Sequence, residues 1–159
     1  MKREYYWERA ETTAHKYILP GVLEALDKFK VPKDAYILDA GCGGGYISYS
    51  LWNNGYENVY GFDASSSAIE IAKNTYKVIS NRFALHDAYE KNLPENFPSG
   101  YDVILSIEVI EHMFLPRMYL ENIKGWLKQD GLLILTTPYH GYLKNSLIAL
   151  LNKYDSHHN

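Results

Sequence analysis

The stretch Ile37-Leu38-Asp39-Ala40-Gly41-Cys42-Gly43-Gly44-Gly45-Tyr46 joins a short apolar run to a turn dense in glycine. Ile37 and Leu38 read as a buried parallel strand whose carboxyl end, at Asp39, opens into a crevice, and ligands of such sheets bind at that end. Gly41, Gly43, Gly44 and Gly45 allow positive φ angles and remove every Cβ, so that the backbone can touch a flat, polar molecule. Tyr46 to Trp52 then continues as a helix.

A glycine pattern alone does not choose a ligand, whereas its spacing does. A nicotinamide site wants G-x-G-x-x-G, and counting from Gly41 puts the third glycine where this chain has Tyr46. The pattern present is D-x-G-x-G-x-G, across Asp39, Gly41, Gly43 and Gly45, and it resembles motif I of the class I S-adenosylmethionine methyltransferases. A second apolar run, Asn58 to Phe62, ends in Asp63, where an acidic side chain can accept both ribose hydroxyls of a bound nucleoside. Asp63 could instead cap the next helix. However, Ser67-Ala68-Ile69-Glu70 reads as a capping box for a helix with Ile69, Ala72 and Tyr76 on one face, which leaves Asp63 for the ribose.

Composition narrows the class. At 159 residues, 47% apolar and 14% aromatic, the chain is expected to form one globular domain around a single core. A formal net charge of -3 with scattered basic residues gives no footprint for nucleic acid. The lone cysteine, Cys42, forbids an internal disulfide, and within the glycine turn it reads as a small turn residue rather than a nucleophile. No apolar run approaches the ~18 residues of a membrane span. The charged start Met1-Lys2-Arg3-Glu4 lacks the apolar centre of a signal peptide, so a cytoplasmic location is expected.

The rest of the chain alternates strands and helices. A helix from about His15 to Phe29 places Ile18, Val22, Leu26 and Phe29 on one face, with Pro20 near its first turn. A third strand near Arg82 to Leu85 ends at His86-Asp87-Ala88, and a loop rich in Pro and Asn runs on to Gly100. Tyr101 to Ile107 reads as a fourth strand. Leu132 to Thr136 reads as a fifth, entered through the turn Gln129-Asp130-Gly131. Between them a helix starts at Pro116 with Leu120, Ile123, Trp126 and Leu127 as its stripe. The alternation predicts an α/β fold, a doubly wound parallel sheet with helices on both faces and right-handed crossovers.

The resemblance implies more. The class I methyltransferase fold is Rossmann-like with strand order 3-2-1-4-5 and the cofactor at the switch point between strands 1 and 4. On that pattern Asp39, Gly41, Gly43 and Gly45, with Cys42 between them, fall to the methionine portion of S-adenosylmethionine. Asp63, with Ala64 beside it, falls to the ribose, and Asp87 with Ala88 to the adenine, although Asp87 could equally cap the following turn. Ile107 and Glu108, at the end of strand four, complete the candidate cofactor set. The family normally adds two further strands, whereas this chain ends after one more helix face, Leu143, Leu147, Leu150 and Leu151. Residues 1–159 are therefore expected to be a single domain lacking the last two family strands. The edge of strand five would then be covered by a second copy, by a partner chain or by a longer native chain.

The segment Glu108-Val109-Ile110-Glu111-His112 follows strand four directly. If it turns as a helix, Glu108, Glu111 and His112 share one face with spacing suited to a divalent cation such as magnesium. It also resembles the E-x-x-E-H motif of the ubiquinone-biosynthesis O-methyltransferases and of the metal-dependent small-RNA 2′-O-methyltransferases, in which the acids and the histidine bind metal. Those families add another downstream histidine, for which His140, His157 and His158 are candidates. Without metal, His112 is the candidate general base. Tyr5, Tyr6, Trp7 and Tyr17 could form an aromatic lid, but in a chain with 15 tyrosines ordinary packing of the first helix is the preferred reading. Tyr139 and His140, past strand five, are candidates for the acceptor pocket. The expected activity is methyl transfer from S-adenosylmethionine to an oxygen or nitrogen of a small-molecule acceptor. The alternative is a cofactor-binding unit that transfers nothing without a partner or a further segment. A nicotinamide oxidoreductase ranks far below both.

Overall fold

The computed structural model describes residues 15–138. Tyr5, Tyr6, Trp7, Tyr139, His140, His157, His158 and the leucine face from Leu143 to Leu151 lie outside the described residues.

Five strands form one all-parallel sheet: β1 (Tyr36–Ala40), β2 (Asn58–Asp63), β3 (Phe83–Leu85), β4 (Tyr101–Ile107) and β5 (Leu127–Thr136), in the order β3-β2-β1-β4-β5. This is the expected Rossmann-like order, and it reverses direction between β1 and β4. The register sets Asp39 beside Gly61 on one side and Leu105 on the other, so the carboxyl ends of β1, β2 and β4 open together.

Successive residues of a central strand point to opposite faces, and here both faces are covered. Ile37, Val59, Val103 and Leu105 pack with Val22 and Leu26 of α1 (His15–Lys28) and with Ile47 and Leu51 of α2 (Tyr46–Asn53). Beside them, α3 (Ser66–Thr75) seats Ile69 and Ala72 against Phe83. The opposite face sets Leu38, Phe62 and Ile104 against Tyr119, Ile123 and Trp126 of α4 (Pro116–Trp126).

Several local expectations are corrected. Pro20 lies inside α1 rather than at its first turn. Phe29, just past the helix end, is 59% exposed and is not part of the buried face. The cap of α3 is Ser65, whose Oγ accepts from the Ala68 N–H at 3.3 Å, and not Ser67. In α4 the buried stripe is Tyr119, Ile123 and Trp126, while Leu120 faces out and Leu127 already belongs to β5. Strand β5 starts five residues earlier than expected, at Leu127 rather than Leu132, and its pairing with β4 breaks between Tyr101 and Val103. The turn around Asp130, at φ 63°, is absorbed into that break.

Candidate functional site

A cavity of about 350 Å³ opens at the carboxyl ends of β1, β2 and β4. Its wall is made by the glycine turn, by the first residues after β2, β3 and β4, and by Ile18 of α1 and Ile47 of α2.

The glycine turn is held against the neighbouring strand. The N–H groups of Gly41 and Cys42 both donate to the Phe62 carbonyl, at 2.9 and 2.8 Å. Gly41 has φ 88°, and a Cβ there would come within 2.5 Å of Cγ2 of Val109, so the turn can approach the loop after β4 only because it carries no side chain. Gly45 has a different task. It precedes α2 at φ 81°, and a Cβ would lie 2.8 to 2.9 Å from Phe83 and Ala72, so its bareness allows helix and sheet to close up. Gly45 does not line the cavity.

Two carboxylates define the electrostatics. Asp39 is 1% exposed, and its Oδ2 accepts from the Ser48 hydroxyl at 2.7 Å. Burial, reinforced by the nearby Asp63 charge and opposed by the Ser48 bond, pushes the Asp39 carboxyl up to about 6. Asp63 accepts from the Gly43 N–H at 2.9 Å through Oδ2 and from the Ser65 N–H at 2.8 Å through Oδ1, which ties the end of β2 to the glycine turn. Burial raises its pKa as well, and these backbone bonds oppose the rise. The Cys42 thiol is pushed well up by burial and then by the two carboxylates, so it stays protonated and unreactive, as a turn residue should. Asp39, Asp63 and Glu108 line the cavity, and among the described residues no lysine or arginine does. The wall thus suits a cationic ligand better than a pyrophosphate.

The loop after β4 departs from a helix. Glu108 has φ 56°, its N–H reaches both the carbonyl and Oγ1 of Thr136 at 3.2 Å, and its Oε1 accepts from Thr136 Oγ1 at 2.9 Å. Only Ile110–His112 turns, as a short 3₁₀ segment. The helical spacing that would put Glu108, Glu111 and His112 on one face is therefore lost. Glu108 and His112 line the cavity and Glu111 does not, and among the described residues no three acids, histidines or cysteines are grouped to hold a metal ion. The helical face expected of these three residues is not formed, and nothing among the described residues supports a metal there.

Of the other sequence candidates, Gly41, Cys42, Gly43, Ala64, Ala88 and Ile107 all line the cavity. Asp87 does not, and its Oδ1 accepts from the Tyr89 N–H at 3.0 Å, the turn-forming alternative. Ala88 is held in place by Asn122 of α4, whose amide donates to the Ala88 carbonyl at 3.0 Å. Sequence reasoning passed over Phe62, His86, Val109 and Met113 as wall residues. His86 is 7% exposed, its ring stands edge-on to Phe62 at 5.0 Å, and Nε2 has no hydrogen-bond partner among the described residues. Its place directly after β3 was the available signal.

Residues 6–158 match the family described as "Methyltransferase domain". The chain is 37% identical over 105 residues to the mitochondrial ubiquinone biosynthesis O-methyltransferase of Schizosaccharomyces pombe, covering 64% of this chain and 37% of that protein. It is 32% identical over 131 residues to the ubiquinone biosynthesis O-methyltransferase of Colwellia psychrerythraea, covering 81% of this chain and 52% of that protein. The chain thus spans about a third to a half of the length of these curated relatives. Among solved structures, magnesium protoporphyrin IX methyltransferase from Synechocystis PCC 6803 with bound SAH shares the fold, at a TM-score of 0.69 and 19% identity over 89% of this chain and 64% of that one. With a match along nearly its whole length, a 3-2-1-4-5 sheet and the D-x-G-x-G-x-G turn at its switch point, this chain belongs to the methyltransferase domain family, in its class I, S-adenosylmethionine-dependent form.

Proposed function

We propose that this chain binds S-adenosylmethionine and transfers its methyl group to an oxygen of a small-molecule acceptor. The observation that carries the reading is the cavity itself, in which a bare glycine turn meets the buried Asp39 and the half-buried Asp63 carboxylates at the switch point of the sheet. The fit to the cofactor rests on an acidic wall without lysine or arginine among the described residues, beside a turn bare of side chains at Gly41 and Gly43. The choice of oxygen is supported by the O-methyltransferase names of the curated relatives.

In this reading Asp39, Gly41, Cys42 and Gly43 hold the methionine portion, Asp63 with Ala64 takes the ribose hydroxyls, and Ala88 borders the adenine. Gly45 and Asp87 serve by shaping the two loops. Bound there, S-adenosylmethionine supplies a methyl group on a sulfonium, a strongly activated leaving group. The protein's work is then mainly positioning. His112, at the cavity wall and open to solvent, takes the proton from the acceptor hydroxyl, while Ile107 and Glu108 form the wall beside it.

Calorimetric titration of the chain with S-adenosylmethionine and S-adenosylhomocysteine, with a nicotinamide dinucleotide as control, tests the binding half. Micromolar binding of the sulfur nucleosides alone is expected, and equal or tighter binding of the dinucleotide would refute the reading. For the transfer half, His112→Ala is expected to slow methylation of a hydroxyl acceptor by roughly 10²–10⁴-fold with nucleoside affinity unchanged. An unchanged rate would remove His112 from the chemistry.

A further inference from the structure

Ser48 sits in the first turn of α2, directly after the glycine turn, and is fully buried. Its hydroxyl reaches back to β1 and donates to Asp39 Oδ2 at 2.7 Å. The far side of the same hydroxyl is walled by Gly61 of β2, where a Cβ would come within 3.0 Å of Oγ, so Ser48 has little room to turn away. A hydroxyl clamped between a strand and a carboxylate that lines the cavity is more than helix packing requires, since alanine would fill a helix position there with better propensity.

We propose that Ser48 is a positioning residue: its hydroxyl holds the Asp39 carboxylate in place at the cavity wall and keeps it charged, ready for the ammonium group of the methionine portion. The inference rests on the cofactor reading above and adds to it the residue that makes Asp39 usable.

The physical need is visible in the surroundings of Asp39. Burial and the neighbouring Asp63 both favour its neutral form, and the Ser48 bond is the leading contribution that opposes them. The other titratable groups nearby do not replace it. The Cys42 thiol stays neutral, Tyr119 of α4 is pushed up to about 12, and His86, Glu108 and His112 come from the loops after β3 and β4. The part of α1 that meets the cavity is apolar Ile18. A hydrogen bond given to the charged form of a buried carboxylate stabilises that form selectively.

The test is calorimetric titration of S-adenosylhomocysteine into wild type, Ser48→Ala, Ser48→Cys and Asp39→Asn from pH 5.5 to 8.5. Wild-type affinity should rise with pH through about 6 and level off, following ionisation of Asp39. Without the hydroxyl the midpoint should move up, so that Ser48→Ala binds about tenfold more weakly near pH 6.5 and regains wild-type affinity by pH 8.5. Ser48→Cys, nearly the same size but a poorer donor, should fall between them, and this variant keeps the test valid if alanine at this site disturbs the fold. Asp39→Asn should bind weakly and without pH dependence. A common midpoint in wild type and both Ser48 variants, or a loss of the same factor at every pH, overturns the proposal and leaves Ser48 as packing. Absence of nucleoside binding by wild type at every pH overturns the cofactor reading and the proposal with it.

Discussion

Gly41 and Asp63 carry the site at the scale of single residues. Gly41→Ala meets two separate penalties: a methyl 2.5 Å from Val109 Cγ2 and a side chain forced to φ 88°. Together they should cost about 1–3 kcal/mol of stability, measured by chemical denaturation. The double variant Gly41→Ala with Val109→Ala relieves the contact but not the backbone strain, so it should recover only part of the loss relative to Val109→Ala alone. Full recovery would place the whole effect in the contact. Asp63→Ala removes the acceptor of the Gly43 and Ser65 N–H groups and the proposed ribose partner. S-adenosylhomocysteine affinity should fall by roughly 1–3 kcal/mol. A loss confined to stability, with affinity intact, would make Asp63 a loop tie only. These residues were legible beforehand because strand ends and glycine spacing are local patterns. Val109 was not, because it meets the glycine turn only through the packing of separate elements.

The elements divide the labour. The glycine turn and α2 shape one side of the cavity, whereas α4 secures the loop after β3 from behind. Trp126 is 4% exposed, stands edge-on to Phe62 at 5.6 Å and donates its Nε1–H to the Lys91 carbonyl at 2.7 Å, while Asn122 holds Ala88. Trp126→Ala should therefore destabilise by about 3–5 kcal/mol. Trp126→Phe keeps the ring and loses the donor, and it should cost about 1 kcal/mol in denaturant unfolding. Equal losses in the two variants would mean that the Lys91 bond, and not the aromatic packing, holds the loop. Helix α4 also shows the limit of reading one element alone. Its periodicity announced a helix from Pro116, yet its buried stripe begins at Tyr119, whose hydroxyl donates to Ser106 of β4 at 2.8 Å. Likewise, the acids and histidine after β4 looked like one helical face until Thr136 of β5 took hold of Glu108 and turned its backbone to φ 56°.

For the molecule as a whole, the buried acid at the centre of the sheet is held at a cost. Asp39 has its carboxyl raised from 3.8 to about 6, so between those values the folded state binds more protons than the unfolded state and stability falls as pH rises. Above pH 6 the full penalty is in force, on the order of 3 kcal/mol. Asp39→Asn should accordingly be more stable than wild type at pH 7 and similar to it near pH 4, with thermal unfolding across that window as the measurement. A variant less stable than wild type at pH 7 would show that the charged carboxylate contributes to the fold. A more stable protein that binds the nucleoside poorly is what a functional carboxylate predicts. By itself the sequence determined the strand and helix alternation, the parallel sheet, the glycine turn and the acid at the end of each of its first two strands, because these depend on periodicity and on backbone freedom within a few residues. Only the tertiary structure decided that Ser48 serves Asp39, that Gly45 serves packing, that Asp87 closes its own turn and that Glu108 answers to Thr136. Apart from the Asp87 turn, which the sequence offered as one of two readings, those pairings join separate strands, turns and helices, where no local pattern records which groups the fold will bring together.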